Sequence, residues 1–201
     1  MVDIVKSVIV KASNSRAIAR AITALRRGGV IIYPTETAYG LGCNLDNVKS
    51  IARIYRLKRR PKGKLLSVIV GSPVIAKQHV VIDGQTQRLV KKFMPGPLTL
   101  VSPSKTKGSL AWRIPGHWFA LELAKRFRKP IISTSANVSG RQPPYKIEDV
   151  KRTFNGKIDV IIDGGNLPKR SPSTIFDVRR MKVLRKGPIS KSSILSALHK
   201  R

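Results

Sequence analysis

The sequence predicts an α/β fold in a single domain spanning residues 1–201, with a mixed β-sheet and flanking helices. Three observations support this prediction. Short β-branched segments alternate with segments whose apolar residues have helical spacing. The predicted strands are unevenly spaced and some follow one another directly, so we expect a mixed sheet rather than a uniformly parallel one. A chain of 201 residues that is 41% hydrophobic is also long enough to bury one sizeable core.

The first third of the chain contains the patterns of two strands and one helix. Residues 2–11 alternate loosely between apolar and polar, which favours a strand. Residues 13–15 offer capping side chains, residues 17–25 carry apolar side chains at helical spacing, and the glycines at 28–29 end the helix. Residues 30–33 are a short β-branched run typical of a buried strand.

The same alternation continues to the end of the chain. Asp46 or Asn47 is positioned to cap a helix whose apolar positions run to residue 55, and a Pro-Gly-Pro sequence at 95–97 forces a turn. The other predicted helices are 86–93, 117–127, 146–154 and one that starts at residue 190. The other predicted strands are 65–70, 98–101, 110–114, 131–133, 158–162, 174–177 and 181–184.

The charge of the chain is unusual. Forty Lys and Arg residues face ten Asp and Glu residues, which gives a formal net charge of +30. Such a surface attracts polyanions such as RNA, DNA or nucleotides. The alternative interpretation is a general basic bias or selection for solubility, because the basic residues are spread along the whole sequence.

Several classes of protein are disfavoured by what the sequence does not contain. No segment approaches the roughly 18 apolar residues of a membrane span, and the first residues lack a signal-peptide pattern, so we expect a cytoplasmic protein that does not bind membranes. The single cysteine, Cys43, excludes an internal disulfide. The sequence has no Walker P-loop, no complete dinucleotide fingerprint, no zinc-ligand spacing and no nucleophile elbow.

Two polar segments coincide with the ends of predicted strands, where loops commonly form sites in α/β proteins. Residues 33–42 carry the hydroxyls of Thr35 and Thr37 and the carboxylate of Glu36, and residues 131–140 carry a dense set of hydroxyls with an amide and a glycine. Hydroxyls bind ribose and phosphate oxygens, and small residues let a ligand approach the backbone. The alternative interpretation is a turn with a capping threonine in the first segment and a serine-rich turn in the second.

Two further segments are candidates for binding anions. Residues 58–64 (KRRPKGK) place several cations on a short loop, which suits phosphate because Arg contacts two oxygens at once and Lys supplies a point charge. Arg113, beside a Pro-Gly turn, is a candidate for a bidentate contact with a carboxylate. The alternatives are a solvated or RNA-facing loop and an ordinary surface arginine. A fifth segment, residues 171–177 with 185–187, by itself predicts only a turn before a strand.

Seven motifs, in chain order, resemble the YrdC-like family of threonylcarbamoyl-AMP synthases: YPTETAYGLG, KRRPKGKLL, PGPLT, RIPGH, STSANVSG, PSTI and LRKG. The resemblance extends from about residue 16 to residue 189. It implies a twisted mixed sheet around a deep basic cleft, in the single-domain form of the family. At residues 65–66 this chain has Leu-Leu where family members often have Pro-Leu, a difference that concerns the threonine pocket rather than the reaction.

The resemblance implies an enzyme, a nucleotidyltransferase that converts L-threonine, bicarbonate and ATP to threonylcarbamoyl-AMP and pyrophosphate. A carbamate oxygen attacks the α-phosphorus of ATP, and a downstream tRNA threonylcarbamoyl transferase uses the product to modify tRNA. No protein nucleophile and no protein-held metal are implied. Catalysis would consist of positioning and charge neutralisation, helped by Mg²⁺ that is carried with ATP.

The family's functional residues can be carried over by position. Lys58 and Arg60 match the pair that contacts ATP phosphates, and they are the predicted catalytic residues. The residues that match threonine-binding positions are Thr35, Arg113, Ser133 and Ser173. The further residues that match ATP-binding positions, or are candidates for them, are Lys64, Ser109, Ser135, Asn137 and Arg185.

The net charge supports a second hypothesis, a non-catalytic module of the same fold that binds tRNA or double-stranded RNA. The two hypotheses are compatible, because the product of the enzyme is used on tRNA. A third hypothesis is the related domain of hydrogenase maturation proteins. That domain usually sits in a much longer chain with zinc-finger-like cysteines, and this sequence has neither.

Overall fold

One mixed β-sheet is the central layer of the computed structural model, which describes residues 5–61, 63, 66–106 and 108–199. The strands of the described residues are β1 (Val8–Lys11), β2 (Ile31–Pro34), β3 (Tyr39–Asn44), β4 (Ser67–Ile69), β5 (Leu98–Pro103), β6 (Ser109–Arg113), β7 (Ile131–Ser135), β8 (Val160–Asp163), β9 (Thr174–Asp177) and β10 (Lys182–Arg185). Their order in the sheet is β1-β8-β2-β3-β7-β4-β6-β5-β9-β10.

Helices cover both faces of this sheet. Those of the described residues are α1 (Ala17–Arg26), α2 (Val48–Lys58), α3 (Pro73–Lys77), α4 (Gly84–Phe93), α5 (Trp118–Phe127), α6 (Ile147–Phe154) and α7 (Lys191–His199). Helices α1 and α5 contribute to one buried apolar cluster, and α2, α3, α4, α6 and α7 contribute to the other. The sheet therefore separates two cores, as expected for an α/β layer architecture.

The alternation of side chains along each strand explains why both cores are filled. Ile31 and Tyr33 of β2 belong to the core beneath α1 and α5, whereas their neighbour Ile32 belongs to the opposite core. Successive strand residues point to opposite faces, so a strand buried on both sides has a continuous apolar sequence. All four residues of β2 are buried, in agreement with this pattern.

The prediction of a mixed sheet is confirmed. Strands β1 and β2 both pair with β8 in parallel, and β5 pairs with β9 in parallel. In contrast, β3 pairs with both β2 and β7 in antiparallel orientation. Helical connections cover the parallel crossovers, and the antiparallel neighbours β2 and β3 are joined by the short turn of residues 35–38.

Two elements differ from the sequence prediction. Residues 39–44 form strand β3, whereas the sequence predicts a polar site segment or a turn after β2 for residues 33–42. The glycines at 40 and 42 conceal the strand, because glycine is depleted in strands. Gly42 is required there: a Cβ atom would lie 2.6 Å from the carbonyl oxygen of Ile132 and 3.0 Å from the Tyr33 ring. Helix α3 was not predicted, since its five residues are too few for a helical period to be visible.

The helix caps agree in part with the predicted ones. Asn47 caps α2, where its side-chain oxygen accepts a hydrogen bond from the Ser50 backbone at 2.9 Å. At α1 the side chain of Asn14 instead accepts from the backbone of Arg16, which is the N-cap residue and has no side-chain cap of its own. Within the described part of the chain, no helix is long and apolar enough to cross a membrane.

Candidate active site

A cleft of about 400 Å³ is lined by side chains from seven strands, from the end of α2 and from the loops after β2 and β7. This volume is in the range of small-molecule sites. Its described lining residues include Thr35, Lys58, Arg60, Ser67, Thr99, Arg113, Ser133, Ser135, Asn137, Arg141, Ser173 and Arg185. The cleft therefore combines many hydroxyl groups with several cations.

The cleft is positively charged. Its described lining contains five cationic side chains, Lys58, Arg60, Arg113, Arg141 and Arg185, and no aspartate or glutamate. Cations that converge in a concave site raise the local concentration of anionic ligands. The expectation of a sheet around a basic cleft is confirmed.

Lys58, the last residue of α2, is almost completely buried, with 2% of its surface exposed. Its Nζ donates hydrogen bonds to the main-chain carbonyl oxygens of Ser135 and Asn137, the latter at 2.8 Å, and to Oδ1 of Asn137 at 3.3 Å. These three acceptors use all the donors of a lysine ammonium group. Burial and the nearby charge of Arg60 lower the pKa of Lys58 to about 8.

Asn137 fixes the loop that follows β7. Its Oδ1 accepts hydrogen bonds from Ser135 Oγ and from Lys58, and its Nδ2 donates to the carbonyl oxygens of Val138, at 3.0 Å, and Arg141. In addition, the carbonyl oxygen of Lys58 accepts a hydrogen bond from the Ser139 backbone at 2.8 Å. Lys58 and Asn137 together therefore hold the hydroxyl-rich loop against the end of α2.

Arg60 enters the cleft because the chain turns sharply after α2. Arg59 adopts the left-handed conformation, with φ 48°, and acts as the C-cap of the helix. The Arg60 backbone N–H then donates to the carbonyl oxygen of Tyr55 at 3.0 Å. This reversal directs the residue after the cap back toward the sheet, which is how helix C-termini with a left-handed residue commonly end.

Arg113, the last residue of β6, forms a buried ion pair. Its Nη1 donates to Oε1 of Glu36 at 2.6 Å, and the two side chains are only 10% and 12% exposed. The second carboxylate oxygen, Oε2 of Glu36, is buried and has no hydrogen-bond partner among the described residues. Arg113 itself lines the cleft, whereas Glu36 lies behind it, against the turn at Gly116.

Next to this pair, buried hydroxyls hold the middle of the cleft. Tyr33 donates a hydrogen bond to Ser133 Oγ at 2.8 Å, and Ser67 donates to the Ser133 carbonyl oxygen at 2.7 Å. Burial raises the pKa of the Tyr33 phenol well above its ordinary value, so the ring stays neutral. Ser133 is thus fixed by neighbours on both sides of β7.

The opposite wall of the cleft is formed by β9 and β10. Ser173 Oγ lies 2.8 Å from Thr99 Oγ1 and accepts a hydrogen bond from Nη2 of Arg185 at 2.9 Å, while Nε of Arg185 donates to the Ser173 carbonyl oxygen at 3.0 Å. Partial burial and the charge of Arg113 lower the pKa of the Arg185 guanidinium. The two arginines therefore face the same space from different strands.

Thr35 closes the turn between β2 and β3. Its hydroxyl donates to the carbonyl oxygen of Ala38 at 2.6 Å and lies 3.2 Å and 3.3 Å from the backbone nitrogens of Thr37 and Ala38. The turn-capping role that the sequence suggested for this threonine is therefore present. The same residue also lines the cleft.

Most of the predicted site residues come together. The nine that line the cleft are Thr35, Lys58, Arg60, Arg113, Ser133, Ser135, Asn137, Ser173 and Arg185. Ser109, at the start of β6, is not among the lining residues, and Lys64 lies outside the described residues. The sequence prediction omitted Arg141, although it directly follows the hydroxyl-rich segment, and it gave Glu36 no partner.

No protein-held metal site is formed by the described residues: they contain no group of three or more His, Cys, Asp or Glu side chains that could hold a metal ion. The side chains that converge in the cleft are instead hydrogen-bond donors, which bind carboxylates and phosphates.

A family model for Sua5, YciO and YrdC proteins, described as "Telomere recombination", matches residues 23–187 of this chain. Among solved structures, a H234A/Y235A variant of P. abyssi Sua5 is 32% identical with a TM-score of 0.89, and the match covers 94% of this chain and 63% of that one. E. coli YciO is 25% identical with a TM-score of 0.82, covering 94% of this chain and 97% of that one.

P. abyssi Sua5 has also been solved in complex with L-threonine. That structure is 32% identical to this chain, with a TM-score of 0.88 and a coverage of 96% of this chain and 61% of that one. This chain therefore spans somewhat less than two thirds of the P. abyssi Sua5 chains that it matches.

Proposed function

We propose, from the premise that the chain belongs to the Sua5/YciO/YrdC family, that it is an L-threonylcarbamoyladenylate synthase. Its substrates are L-threonine, bicarbonate and ATP, and its products are threonylcarbamoyl-AMP, pyrophosphate and water. The observation that carries the proposal is the one cleft that combines Lys58 and Arg60 with Arg113, without an acidic residue in its described lining.

Threonine binds at the Arg113 end of the cleft in this proposal. One Nη of Arg113 is used by Glu36, and the guanidinium has further N–H donors for a carboxylate. Thr35, Ser133 and Ser173 surround this end with hydroxyls suited to a small polar amino acid. The L-threonine complex of P. abyssi Sua5 supports this choice of substrate.

ATP binds from the other end, where Lys58 and Arg60 neutralise its phosphates and where Ser135 and Asn137 support the nucleotide. Arg185, which faces the same space as Arg113, neutralises charge where the two substrates meet. The threonine amine first attacks the carbon of bicarbonate; the C–N bond of the carbamate forms, water leaves, and a proton from the ammonium form of the amine passes to solvent. The carbamate then attacks the α-phosphorus through one oxygen. A new O–P bond forms, the bond to the β-phosphate bridging oxygen breaks, and pyrophosphate leaves. Positioning the two reactants can supply up to roughly 7–11 kcal/mol of the barrier, so no protein nucleophile is needed.

Mg²⁺ enters with ATP in this proposal and adds neutralising charge at the phosphates. The cleft residues suit this arrangement, because their described set offers donors to the phosphates but no carboxylate to hold a metal by itself. The protein's own contribution is to fix the cations and to orient the two substrates.

The test is pyrophosphate release by the purified protein with ATP, Mg²⁺ and bicarbonate, measured with and without L-threonine. Release that requires both threonine and bicarbonate is expected. Pyrophosphate release that is independent of threonine would refute the proposed substrate. The same conclusion would follow if a folded protein that binds ATP released no pyrophosphate. Serine and valine serve as matched amino acids, since each lacks one of the two groups on the threonine β-carbon.

A second candidate function is binding of tRNA or double-stranded RNA, which the net charge of +30 favours. Binding driven by phosphate contacts falls steeply with salt, because each contact releases condensed counterions. An RNA affinity that does not change between low and high salt would exclude binding through the net charge of the protein. In the first proposal, contact with tRNA and with a downstream threonylcarbamoyl transferase follows the reaction.

A further inference from the structure

The cations of the cleft are held by two kinds of partner. Lys58 is held by oxygens of Ser135 and Asn137, and Arg185 is held by Ser173, so the partners at these places are neutral. Arg113, in contrast, is held by the carboxylate of Glu36. The Lys58 end of the cleft therefore keeps the charge of its lysine. At the Arg113 end, which Arg185 also faces, the charge of Arg113 is compensated by an anion in contact with it.

Glu36 is well placed to compensate Arg113 without occupying the cleft. The two side chains meet at 2.6 Å and are about nine-tenths buried, where screening by water is weak. The charges of both residues also act on the buried phenol of Tyr33, in opposite directions. Glu36 itself does not line the cleft, so a ligand meets the compensated arginine and not the carboxylate.

This difference matters for ligands of different charge. A polyphosphate with several negative charges gains most where a cation is uncompensated, as at Lys58, and gains less at Arg113, whose charge Glu36 compensates. A zwitterionic amino acid has one carboxylate and no net charge, so its affinity falls little when the charge of Arg113 is compensated. Its carboxylate can still accept hydrogen bonds from the guanidinium donors. The same cleft can thereby bind a polyphosphate at one end and an amino-acid carboxylate at the other.

We propose that Glu36 is a specificity-determining positioning residue: by pairing with Arg113, it reserves that end of the cleft for the carboxylate of an amino acid and excludes phosphate groups from it. The identity of the amino acid rests on the proposed function. The exclusion of phosphates rests only on the ion pair and its burial.

The experiment compares the wild type with Glu36→Gln, which removes the charge at nearly constant shape. Binding of pyrophosphate and of L-threonine is measured by calorimetry, together with competition between them. In Glu36→Gln, we expect the ratio of threonine affinity to pyrophosphate affinity to fall about tenfold or more, and pyrophosphate to become competitive with threonine. Glu36→Asp should restore part of the ratio.

A matched control separates the local effect from net charge. Glu148→Gln removes an exposed carboxylate on α6 and changes the total charge by the same amount. It should leave the ratio and the competition unchanged. Wild-type ratios and wild-type competition in a folded Glu36→Gln protein, or an equal change in Glu148→Gln, would overturn the proposal.

Two further outcomes keep the test independent of folding and of the proposed enzyme. If Glu36→Gln does not fold, Glu36→Gln/Arg113→Gln is measured in its place; it should lose threonine affinity without gaining pyrophosphate affinity, and a gain would contradict the proposal. If the wild type binds no threonine, the proposed function fails. In that case a gain in pyrophosphate affinity in Glu36→Gln, absent from the double variant, still supports exclusion, and no gain overturns it.

Discussion

Lys58 and Arg113 are both buried cations of the same cleft, but they are stabilised differently. The lysine is surrounded by neutral oxygens, which solvate its charge without cancelling it, and its pKa is lowered to about 8. The arginine meets a carboxylate at 2.6 Å, which cancels most of its charge. Burial and hydrogen bonding alone therefore do not determine how strongly a cation attracts a ligand, because the charge of its protein partner also matters.

Replacing Lys58 should have the largest effect. Lys58→Ala removes a charged contact to the phosphates and leaves three loop oxygens without their donor, so we expect threonine-dependent pyrophosphate release to fall by about 10²-fold or more. Lys49→Ala, an exposed lysine on the same helix, is the matched control and should be near wild type. Near-normal turnover of a folded Lys58→Ala protein would remove the phosphate-binding role.

The pH dependence of ATP binding also tests the role of Lys58. Because the pKa of Lys58 in the folded protein is about 8, the ammonium group is lost above that pH, and ATP affinity should fall by up to about tenfold per pH unit. A Lys58→Met variant should show a flatter profile, measured by calorimetry between pH 7 and 9.5. An equally steep profile in the variant would assign the titration to another group.

Deprotonation of Lys58 should lower ATP affinity but should raise the stability of the folded protein. The pKa of Lys58 is lower in the folded protein than the ordinary value of 10.5, so the unfolded chain binds more protons between about pH 8 and 10.5. The contribution of this group to the free energy of unfolding therefore rises with pH in that window. The free energy of unfolding is therefore measured against pH in the wild type and in Lys58→Met. A rise relative to the variant in the pH range where ATP affinity falls would distinguish the titration of Lys58 from general alkaline unfolding.

Ser173→Ala should have an intermediate effect. The hydroxyl holds both Thr99 and Arg185, so its loss frees the arginine without removing it. We expect the KM values for L-threonine, which Ser173 contacts in the proposal, and for ATP, which Arg185 contacts, each to rise about fivefold, and the free energy of unfolding to fall by about 1 kcal/mol for a lost buried hydrogen bond. Steady-state kinetics and thermal unfolding measure both, and Ser171→Ala, on the exposed part of the same loop, is the control. A change in kcat with KM unaltered would contradict a role through Arg185.

Ser109→Ala should have the smallest effect. This serine lies at the start of β6, the opposite end from Arg113, and does not belong to the described lining of the cleft. We expect kcat and KM for ATP to stay within about twofold of the wild type. A clear rise in the KM for ATP would instead restore the nucleotide-binding role that the family resemblance implies for this residue.

The sequence predicted most elements because their apolar periods are strong. Helices α1 and α5 and strand β2 each show the spacing of a buried face, and the structure contains them within a few residues of the predicted limits. Strand β3 was missed because glycine has a low strand propensity. Its glycines are needed instead for close packing against Tyr33 and β7. Such a requirement depends on the neighbouring strand and is invisible in the local sequence.

The candidate site was predictable as a set of positions but not as a set of interactions. The ordered motifs predicted nine site residues that line the cleft in the structure. The pairing of Glu36 with Arg113 joins residues 77 positions apart, and the anchoring of Lys58 on Asn137 joins residues 79 apart. Local patterns contain no information about these contacts, because they depend on which strands become neighbours in the sheet.

The position of β8 between β1 and β2 has a consequence for the synthesis of the chain. The N-terminal strand β1 has only β8 as its neighbour among the described strands, with Val8 opposite Val160. During translation, β1 therefore has no place in the sheet until residues near 163 have left the ribosome. Pairings between such distant segments are slow to form. The whole segment between Lys11 and Val160 must therefore be synthesised before β1 can be incorporated.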